Sequence, residues 1–265
     1  MSTSPPIELQ AKPIAPGHFP LVCTPLVGRT TDAIMAELQV ILPKQPDVLE
    51  WRVDFFEDIG NSAAVVALAQ AIRQAAPHVL VMFTRRSTTE GGEAIALSEE
   101  QVIALYEAVC KINSIDLIDY EMSHTPAHIA QVRAVSRVNG VQLVLSSHDF
   151  VKTPSLETLN QKFLHAQQQG ADVAKVAVMP NNMDDVLTLL TATRQSSQLL
   201  SIPLISLSMG PYGALTRLLG WTCGSALTFA VGSANSAPGQ IPMEDINTVM
   251  AIVRKSMVNS SHVEP

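Results

Sequence analysis

Eight short apolar runs alternate with amphipathic stretches along this chain, and this alternation constrains the fold more than any other feature. The runs are rich in aliphatic and β-branched residues, which is typical of buried strands, and a stretch with helical spacing of apolar residues follows each of them. We predict strands at 20–25, 48–53, 79–84, 116–121, 141–147, 173–178, 203–209 and 226–231. Eight strand–helix units over about 240 residues are the repeat of a (β/α)8 barrel.

A doubly wound open sheet is the main alternative for such an alternation. Sheets of that kind that bind dinucleotides carry a glycine-rich turn after the first strand. Here the segment 24–29 reads Thr-Pro-Leu-Val-Gly-Arg and lacks that pattern. The sequence therefore favours an α/β fold with a single (β/α)8 TIM barrel over residues 18–258. We expect a short N-terminal extension or hairpin over residues 1–17 and a C-terminal tail over residues 259–265.

Several helix starts carry their own signals. Ser98 begins a Ser-x-x-Gln capping box ahead of an apolar stripe. Thr153 is the predicted N-cap of a later helix because Pro154 follows it, and proline is favoured at the first helical position. Asn182 precedes two acidic residues in a first turn, where the helix dipole favours negative charge.

Composition excludes several classes of function. The formal net charge of −7 argues against nucleic acid as a partner, because its phosphates would be repelled. The 3 cysteines are far apart and have no metal-ligand spacing, so we expect no disulfide framework and no metal. No apolar run approaches the roughly 18 residues of a membrane span, and the first residues do not resemble a secretory signal. We therefore expect a cytoplasmic protein.

Lys175 lies within the apolar run 172–180, which otherwise reads as a buried strand. A buried ammonium costs several kcal/mol unless it is paired or loses its proton. A neutral lysine amine is a nucleophile for carbonyl carbon, so the position suggests Schiff-base chemistry. The alternative is a lysine at a strand end that reaches solvent or pairs with a carboxylate.

Polar residues also interrupt the predicted second strand. Because side chains alternate along a strand, Glu50, Arg52 and Asp54 share one face, and the apolar residues between them face the helices. In a barrel, the carboxyl ends of the strands converge on one open face where chemistry is found. Three charges on the inward face predict part of a functional site, although a purely structural network would look the same.

Further charged residues follow the third and fourth strands. Arg85, Arg86 and Glu90 stand next to a Gly-Gly pair, a composition that suits either an anion- and hydroxyl-binding loop or an ordinary solvated one. Asp119 and Glu121 share a face at the end of the fourth strand. These two acids could orient a histidine, hold Lys175 by charge, or neutralise the arginines.

The later strands supply a base, a wall and a cation. His148 ends the fifth strand, and its ordinary pKa suits proton transfer near neutral pH, although a lone histidine is more often structural. Leu207 and Met209 predict an apolar wall. Arg217 is either a carboxylate clamp or a surface charge. The small polar residues of 233–240 suit a closing lid as well as a plain surface loop.

Taken in order, these motifs resemble the type I 3-dehydroquinase family from about residue 20 to residue 255. The resemblance is carried by Glu50-Trp-Arg52-Val-Asp54, Phe83-Thr-Arg-Arg86 with Glu90-Gly-Gly, Ser147-His148-Asp149-Phe150, Lys175-Val-Ala-Val-Met-Pro180, Ser208-Met209-Gly210, the Arg217 segment and Ser-Ala-Pro-Gly-Gln240. It implies a (β/α)8 barrel that dehydrates 3-dehydroquinate to 3-dehydroshikimate in the shikimate pathway of aromatic amino acid biosynthesis. It also implies no metal or other cofactor, and a homodimer.

The same resemblance implies roles for individual residues. Lys175 corresponds to the Schiff-base lysine, His148 to the general acid/base and Glu90 to the acid that positions the histidine. The implied substrate-binding residues are Glu50, Arg52, Arg86, Met209, Arg217, Phe229, Ser236 and Gln240. Arg217 would anchor the carboxylate. Leu207 stands where the family resemblance leads us to expect a second methionine, a nearly volume-conserving difference that affects pocket shape rather than chemistry.

The implied chemistry suits these residues. A β-hydroxy ketone loses water once the proton beside the carbonyl is removed, and an iminium formed with lysine provides the electron sink. We expect nearby arginines to repel the charge of Lys175 and so increase the neutral fraction of its amine. Two alternatives share some of these features: another class I Schiff-base lyase or aldolase, and a non-catalytic barrel that senses a related acid.

Overall fold

Eight parallel strands and eight helices alternate in the computed structural model, which describes residues 7–10, 12–15, 19–233 and 237–260. A short hairpin precedes them, formed by β1 (Ile7–Leu9) and β2 (Lys12–Ile14). The barrel strands are β3 (Leu21–Leu26), β4 (Val48–Arg52), β5 (Leu80–Thr84), β6 (Leu117–Glu121), β7 (Gln142–Asp149), β8 (Val173–Val178), β9 (Leu204–Ser208) and β10 (Leu227–Val231). The helices are α1 (Thr31–Ile41), α2 (Ser62–Ala75), α3 (Glu99–Cys110), α4 (Pro126–Val138), α5 (Leu156–Gln168), α6 (Met183–Leu199), α7 (Ala214–Leu219) and α8 (Met243–Ser260).

Closure of the sheet confirms the predicted barrel. Each strand from β3 to β8 pairs in parallel with the next, and β10 pairs in parallel with β3. A bridge between Leu204 and Ser225 joins the two remaining neighbours, and the amide of Ala226 donates to the carbonyl of Leu204 at 2.7 Å. All eight predicted strands are present. The sequence did not predict β11 (Ile241–Pro242), a two-residue strand that pairs with β10.

Two apolar clusters lie on the two sides of the barrel wall. The outer cluster packs the strands against the helices, and it includes Trp51, Phe83 and Tyr106, whose neighbouring rings meet edge to face at 5.4 and 5.3 Å between centroids. The inner cluster fills the barrel and includes Met82 and Ile205. Because the interior is filled with side chains, ligand access is confined to the ends of the barrel.

The β1–β2 hairpin covers the amino-terminal end of the barrel. Ile14 is buried and belongs to the inner cluster. Lys12 forms an ion pair with Asp47, which precedes β4, at 3.2 Å between Nζ and Oδ1. With this end covered, the carboxyl-terminal end is left for a site.

The predicted helix starts are correct in two cases and wrong in one. Ser98 and Asn182 cap α3 and α6 as expected. The start predicted at Thr153 is wrong, because α5 begins at Leu156 and the hydroxyl of Ser155 accepts from its first turn. The hydroxyl of Thr153 instead donates to the carbonyl of Met179 at 3.2 Å, so tertiary contact takes the group that capping would have used. Within the described ranges, no helix is long and apolar enough to cross a membrane.

Candidate active site

Side chains from nearly every strand end converge on one cavity at the carboxyl-terminal end of the barrel. The cavity has an empty volume of about 490 Å³, open solvent at its mouth included. Ten of the predicted site residues line it: Glu50, Arg52, Arg86, Glu90, His148, Lys175, Met209, Arg217, Phe229 and Gln240. The eleventh, Ser236, lies outside the described residues. The structure therefore brings together every predicted residue that it describes.

Lys175 points into this cavity from the middle of β8. Its side chain is only 3% exposed, so the alternative of a lysine reaching solvent from a strand end is wrong. The ammonium donates to Asp119 Oδ2 at 2.8 Å and to Glu50 Oε1 at 3.2 Å. The ring of Phe229 lies 4.6 Å from Nζ. Arg52 and Arg86 line the same cavity, as expected, but the charged groups in contact with Nζ are both carboxylates.

Asp119 of β6 links Lys175 to Arg86, which lies in the loop after β5. Its Oδ1 accepts from Arg86 Nη2 at 2.8 Å and from Ser146 Oγ at 2.6 Å, while Oδ2 binds Lys175. Burial by itself raises the pKa of Asp119, but the charges of Arg86 and Lys175 outweigh it and hold the pKa well below its usual range. Asp119 is therefore a permanent negative charge between two cations.

Arg86, and not Arg85, faces the cavity, as the resemblance implied. Besides Asp119, its guanidinium binds Ser146 Oγ at 2.8 Å and Glu121 Oε1 at 3.1 Å. Burial opposes the charge of Arg86, but Asp119 and Glu121 outweigh it and raise the pKa of the guanidinium above its ordinary value. Arg85 points the other way and binds Glu99 of α3 at 3.0 Å. Asp119 and Glu121 thus both neutralise Arg86, and Asp119 also holds Lys175.

His148 and Glu90 form a close pair beside the lysine. Glu90 Oε2 lies 2.8 Å from His148 Nδ1 and also accepts from the backbone amide of His148 at 2.9 Å. Burial lowers the pKa of His148 well below its usual value, and the charges of Arg86 and Lys175 lower it further. With a proton assigned to Nδ1 by this contact, Nε2 carries the free lone pair of a base.

The pKa of Glu90 moves in the opposite direction. Burial raises it to about 7, Glu121 adds to the rise, and Arg86 together with the hydrogen bond from Ser123 opposes it. The hydroxyl of Ser123 donates to Glu90 Oε1 at 3.1 Å. Burial thus disfavours the charged form of both groups, so it favours a neutral imidazole beside a protonated carboxyl group.

Arg217 differs from the other cavity cations. Its side chain is almost fully buried, and it donates to the carbonyls of Phe229 at 3.3 Å and Pro238 at 3.2 Å. Its Nε has no hydrogen-bond partner, and no carboxylate of the described residues lies within 4 Å of the guanidinium. Burial lowers its pKa to about 10. A buried guanidinium without an acid is suited to receive an anionic ligand.

The rim of the cavity is formed by the segment 237–240 and the wall of β9. Leu207 and Met209 line the cavity as the predicted apolar wall. Gly239 has a φ of +73°, and a Cβ there would lie 2.2 Å from the carbonyl oxygen of Gly210. The segment therefore packs closely on the end of β9, which places Gln240 at the cavity. Lid closure by 233–240 stays a prediction.

Sequence reasoning missed three polar residues that support the site. Ser146 stands two residues before His148 in β7, so the alternation along the strand would have placed both on the inward face. Thr84 ends β5 and donates to Glu50 Oε1 at 3.2 Å. Ser123 lies in the loop after β6, where no pattern in the sequence points to its contact with Glu90.

A buried lysine that shares its cavity with a histidine held by a carboxylate, inside a (β/α)8 barrel, is typical of enzymes that use a lysine nucleophile on carbonyl compounds. A family model for type I 3-dehydroquinase matches residues 22–257. The chain belongs to the type I 3-dehydroquinase family, whose activity is that of a hydro-lyase. A curated 3-dehydroquinate dehydratase of Albidiferax ferrireducens is 63% identical over 257 residues and covers 97% of each chain.

Other relatives and solved structures agree. The 3-dehydroquinate dehydratase of Aromatoleum aromaticum is 47% identical and covers 95% of this chain and 96% of its own. The crystal structure of the Geobacillus kaustophilus 3-dehydroquinate dehydratase superposes with a TM-score of 0.93 at 45% identity, covering 96% of this chain and 99% of its own. A type I enzyme of Clostridium difficile, solved with covalent modified comenic acid, has a TM-score of 0.91 at 34% identity and covers 96% and 100%.

Proposed function

We propose that this barrel eliminates water from 3-dehydroquinate through an imine on Lys175, giving 3-dehydroshikimate in the shikimate pathway of aromatic amino acid biosynthesis. The observation that carries the proposal is the buried Lys175 ammonium, which lines the same cavity as a histidine held by a carboxylate. Family membership supports the substrate. The names of the relatives support the reaction.

The first step joins the substrate carbonyl to the lysine. Nζ must give up a proton before it attacks, and Glu50 Oε1, at 3.2 Å, is an acceptor within hydrogen-bond distance. Attack on the carbonyl carbon and loss of water then produce an iminium. Its positive charge lies where the ammonium was, next to Asp119, so the charge of the cavity is compensated throughout.

Elimination follows at the carbon beside the iminium. His148 Nε2 removes the proton, and the electron pair moves into the iminium to give an enamine. The protonated imidazole then returns that proton to the departing hydroxyl, which leaves as water, and hydrolysis of the conjugated iminium releases the product. Glu90 holds Nδ1 at 2.8 Å and stabilises the transient imidazolium charge.

The remaining charged residues of the cavity orient the substrate in this proposal. The substrate carboxylate binds Arg217, whose guanidinium has no acid partner of its own in the described residues and presents a planar fork. Arg52 and Glu50 are predicted to contact the ring hydroxyls. Arg86 stays a predicted substrate contact. Its bonds to Asp119 and Glu121 also hold its side chain in place. Orientation against the base contributes several kcal/mol of the rate enhancement.

Borohydride reduction in the presence of 3-dehydroquinate tests the imine. We expect a mass increase on the peptide containing Lys175 and none for Lys175→Ala, which should also lose the enone absorbance of product formation while remaining folded. Lys152→Ala, at an exposed lysine, is the control and should behave as wild type. An adduct on another lysine would remove the assignment. Cleavage of a carbon–carbon bond would favour an aldolase, and binding without turnover would favour a sensor.

The assembly and cellular location stay predictions. We expect a homodimer from the resemblance and from the frequency of twofold symmetric enzymes. Sedimentation equilibrium tests this directly, since a dimer has twice the 28.5 kDa mass of the chain. Fractionation of cells that express the protein tests the expected cytoplasmic location.

A further inference from the structure

Asp54 lies beneath the rim of the active site and contacts two of its parts at once. We propose that Asp54 is a positioning residue that joins the orientation of Arg52 to the loop that carries Glu90. This inference rests on the proposed function of the site, and it assigns to Asp54 no contact with the substrate.

The carboxylate of Asp54 is completely bonded. Its side chain is 0% exposed. Oδ1 accepts from Arg52 Nε at 2.8 Å and from the amide of Arg86 at 3.3 Å. Oδ2 accepts from Arg52 Nη2 at 2.7 Å and from the amide of Glu93 at 3.1 Å. Four donors thus occupy the four acceptor positions of one buried carboxylate.

Two of these donors are the two ends of the catalytic loop, residues 86–93. Asp54 therefore joins the two ends of this loop, and Glu90 lies between them. Inside the loop, the amides of Glu90 and Gly92 both donate to the carbonyl of Ser87, at 3.1 and 2.8 Å. A Cβ on Gly92 would lie 2.0 Å from the carbonyl oxygen of Arg86, so this close approach of the two loop ends requires glycine.

The other two donors set the direction of Arg52. Asp54 binds the edge formed by Nε and Nη2, and the ring of Phe55 lies 5.0 Å from the guanidinium carbon. Arg52 also lines the cavity, and its Nη1 is not among the atoms that bind Asp54. The Asp54 carboxylate therefore fixes Arg52, a predicted substrate contact, relative to the loop that carries Glu90.

Lys175 is held by different groups. Its ammonium binds Asp119 and Glu50. The link from Asp119 to Asp54 runs through Arg86, whose guanidinium binds Asp119 while only its backbone amide binds Asp54. A change at Asp54 should therefore spare imine formation and impair proton transfer and hydroxyl binding. Normal imine formation together with impaired turnover distinguishes a positioning role from a purely structural one. Loss of a purely structural residue would lower imine formation and turnover together.

Asp54→Asn is the principal variant. An asparagine keeps the shape but turns an NH₂ group toward two of the four donors, so it leaves buried donors unpaired. We expect kcat to fall about 10- to 100-fold and KM to rise by about the same order, the range for loss of hydrogen bonds to a charged group. Borohydride should still trap the adduct on Lys175 to the wild-type extent at saturating substrate. Asp58→Asn, at an exposed acid of the same segment, should match wild type in every measurement.

Asp54→Glu is the second variant, and it separates charge from position. It keeps the negative charge but moves the carboxylate by one methylene, so it can pair with Arg52 without reaching both loop amides. We expect a folded protein, measured by its thermal transition, with lowered kcat, an altered acid limb of the pH profile and full trapping. Wild-type kinetics in both variants would overturn the proposal. Loss of trapping in proportion to turnover in the folded variants would overturn it too. Failure of wild type to form product would instead refute the proposed function.

Discussion

The two sides of the active-site cavity treat their cations in opposite ways. On one side, Lys175 and Arg86 are bound by Asp119, and each has a second acid as well. On the other side, Arg217 is equally buried, but within the part of the chain that the structure describes its guanidinium binds two backbone carbonyls and no acid. The paired side has its charges balanced before any ligand arrives, as preorganised catalysis requires. The unpaired side reaches that balance only when an anion binds.

The difference has a consequence for stability. Breaking a buried ion pair leaves a charge without compensation, which is strongly destabilising. Removing a buried cation that has no acid partner carries no such penalty. The paired side should therefore couple activity to folding, and the unpaired side should affect substrate binding alone.

The largest expected effect is that of Asp119→Asn on the paired side. We expect the free energy of unfolding to fall by about 3 kcal/mol, because Arg86 and Lys175 lose their shared partner. Turnover should fall at least about 1000-fold, since the iminium loses its counter-charge. Urea unfolding and the enone assay measure the two quantities, with Glu57→Gln, at an exposed acid, as the control. Unchanged stability would show that the pairing has no net value.

Arg217→Met tests the unpaired side of the cavity. We expect KM to rise about 100-fold or more, from loss of a bidentate contact to the substrate carboxylate, with a change of less than about 1 kcal/mol in unfolding free energy. Arg217→Lys keeps the charge without the fork and should recover only part of the affinity. Steady-state kinetics and urea unfolding decide the matter. A large loss of stability would mean that the two sides do not differ as described.

The pH dependence of Glu90 sharpens the comparison, because this acid borders the paired side. Its folded pKa of about 7 lies above the unfolded value near 4.5, so the folded protein binds its proton more tightly. The stability that this proton provides is fully present below about pH 4.5 and is lost as the pH rises through 7. We expect Glu90→Gln, measured against wild type, to gain unfolding free energy between pH 5 and pH 8.

The same titration should appear in the kinetics. Below about pH 7, Glu90 gains a proton and loses the negative charge that holds the proton on Nδ1 of His148, so kcat/KM of wild type should fall toward acid. In Glu90→Gln this acid limb should move or vanish, and the overall rate should be lower. An unchanged limb in the variant would assign the titration to another group.

Ser123→Ala should have the smallest effect. The hydroxyl donates to Glu90 Oε1 and lowers the pKa of Glu90, so its loss should move the acid limb upward by less than about one pH unit. We expect kcat to change only about two- to fivefold, because Ser123 is exposed and water can take its place. Ser123→Thr keeps the hydroxyl and should restore the wild-type profile. A shift of the limb toward lower pH would contradict the assignment.

Much of this architecture is encoded in local patterns. Buried parallel strands need near-continuous apolar runs, so all eight barrel strands could be read from the sequence within a few residues. The alternation along β4 correctly placed Glu50 and Arg52 on the inward face. Lys175 was recognisable because a charge is so costly inside a buried strand. The order of the motifs gave the family resemblance, and the resemblance then identified the remaining cavity residues.

The bonds within the site depend on closure of the barrel instead. Lys175 meets Asp119 across 56 residues and Glu50 across 125, at distances set by the stagger of the strands rather than by spacing along the chain. The sequence therefore placed arginines near the lysine and left open whether Asp119 holds it, but it could not supply these contacts. The position of Asp54 likewise follows from the end of β4 at Arg52, after which a turn brings its carboxylate back onto the guanidinium.

The amino-acid sequence alone determined which elements form, which faces they bury and which residue types reach the open end of the barrel, because burial and backbone geometry act over a few neighbouring residues. The tertiary structure alone decided that Lys175 is paired with carboxylates and that Arg217 has no acid partner among the described residues. Electrostatic partners are chosen by distance in space, and those distances exist only after the sheet has closed.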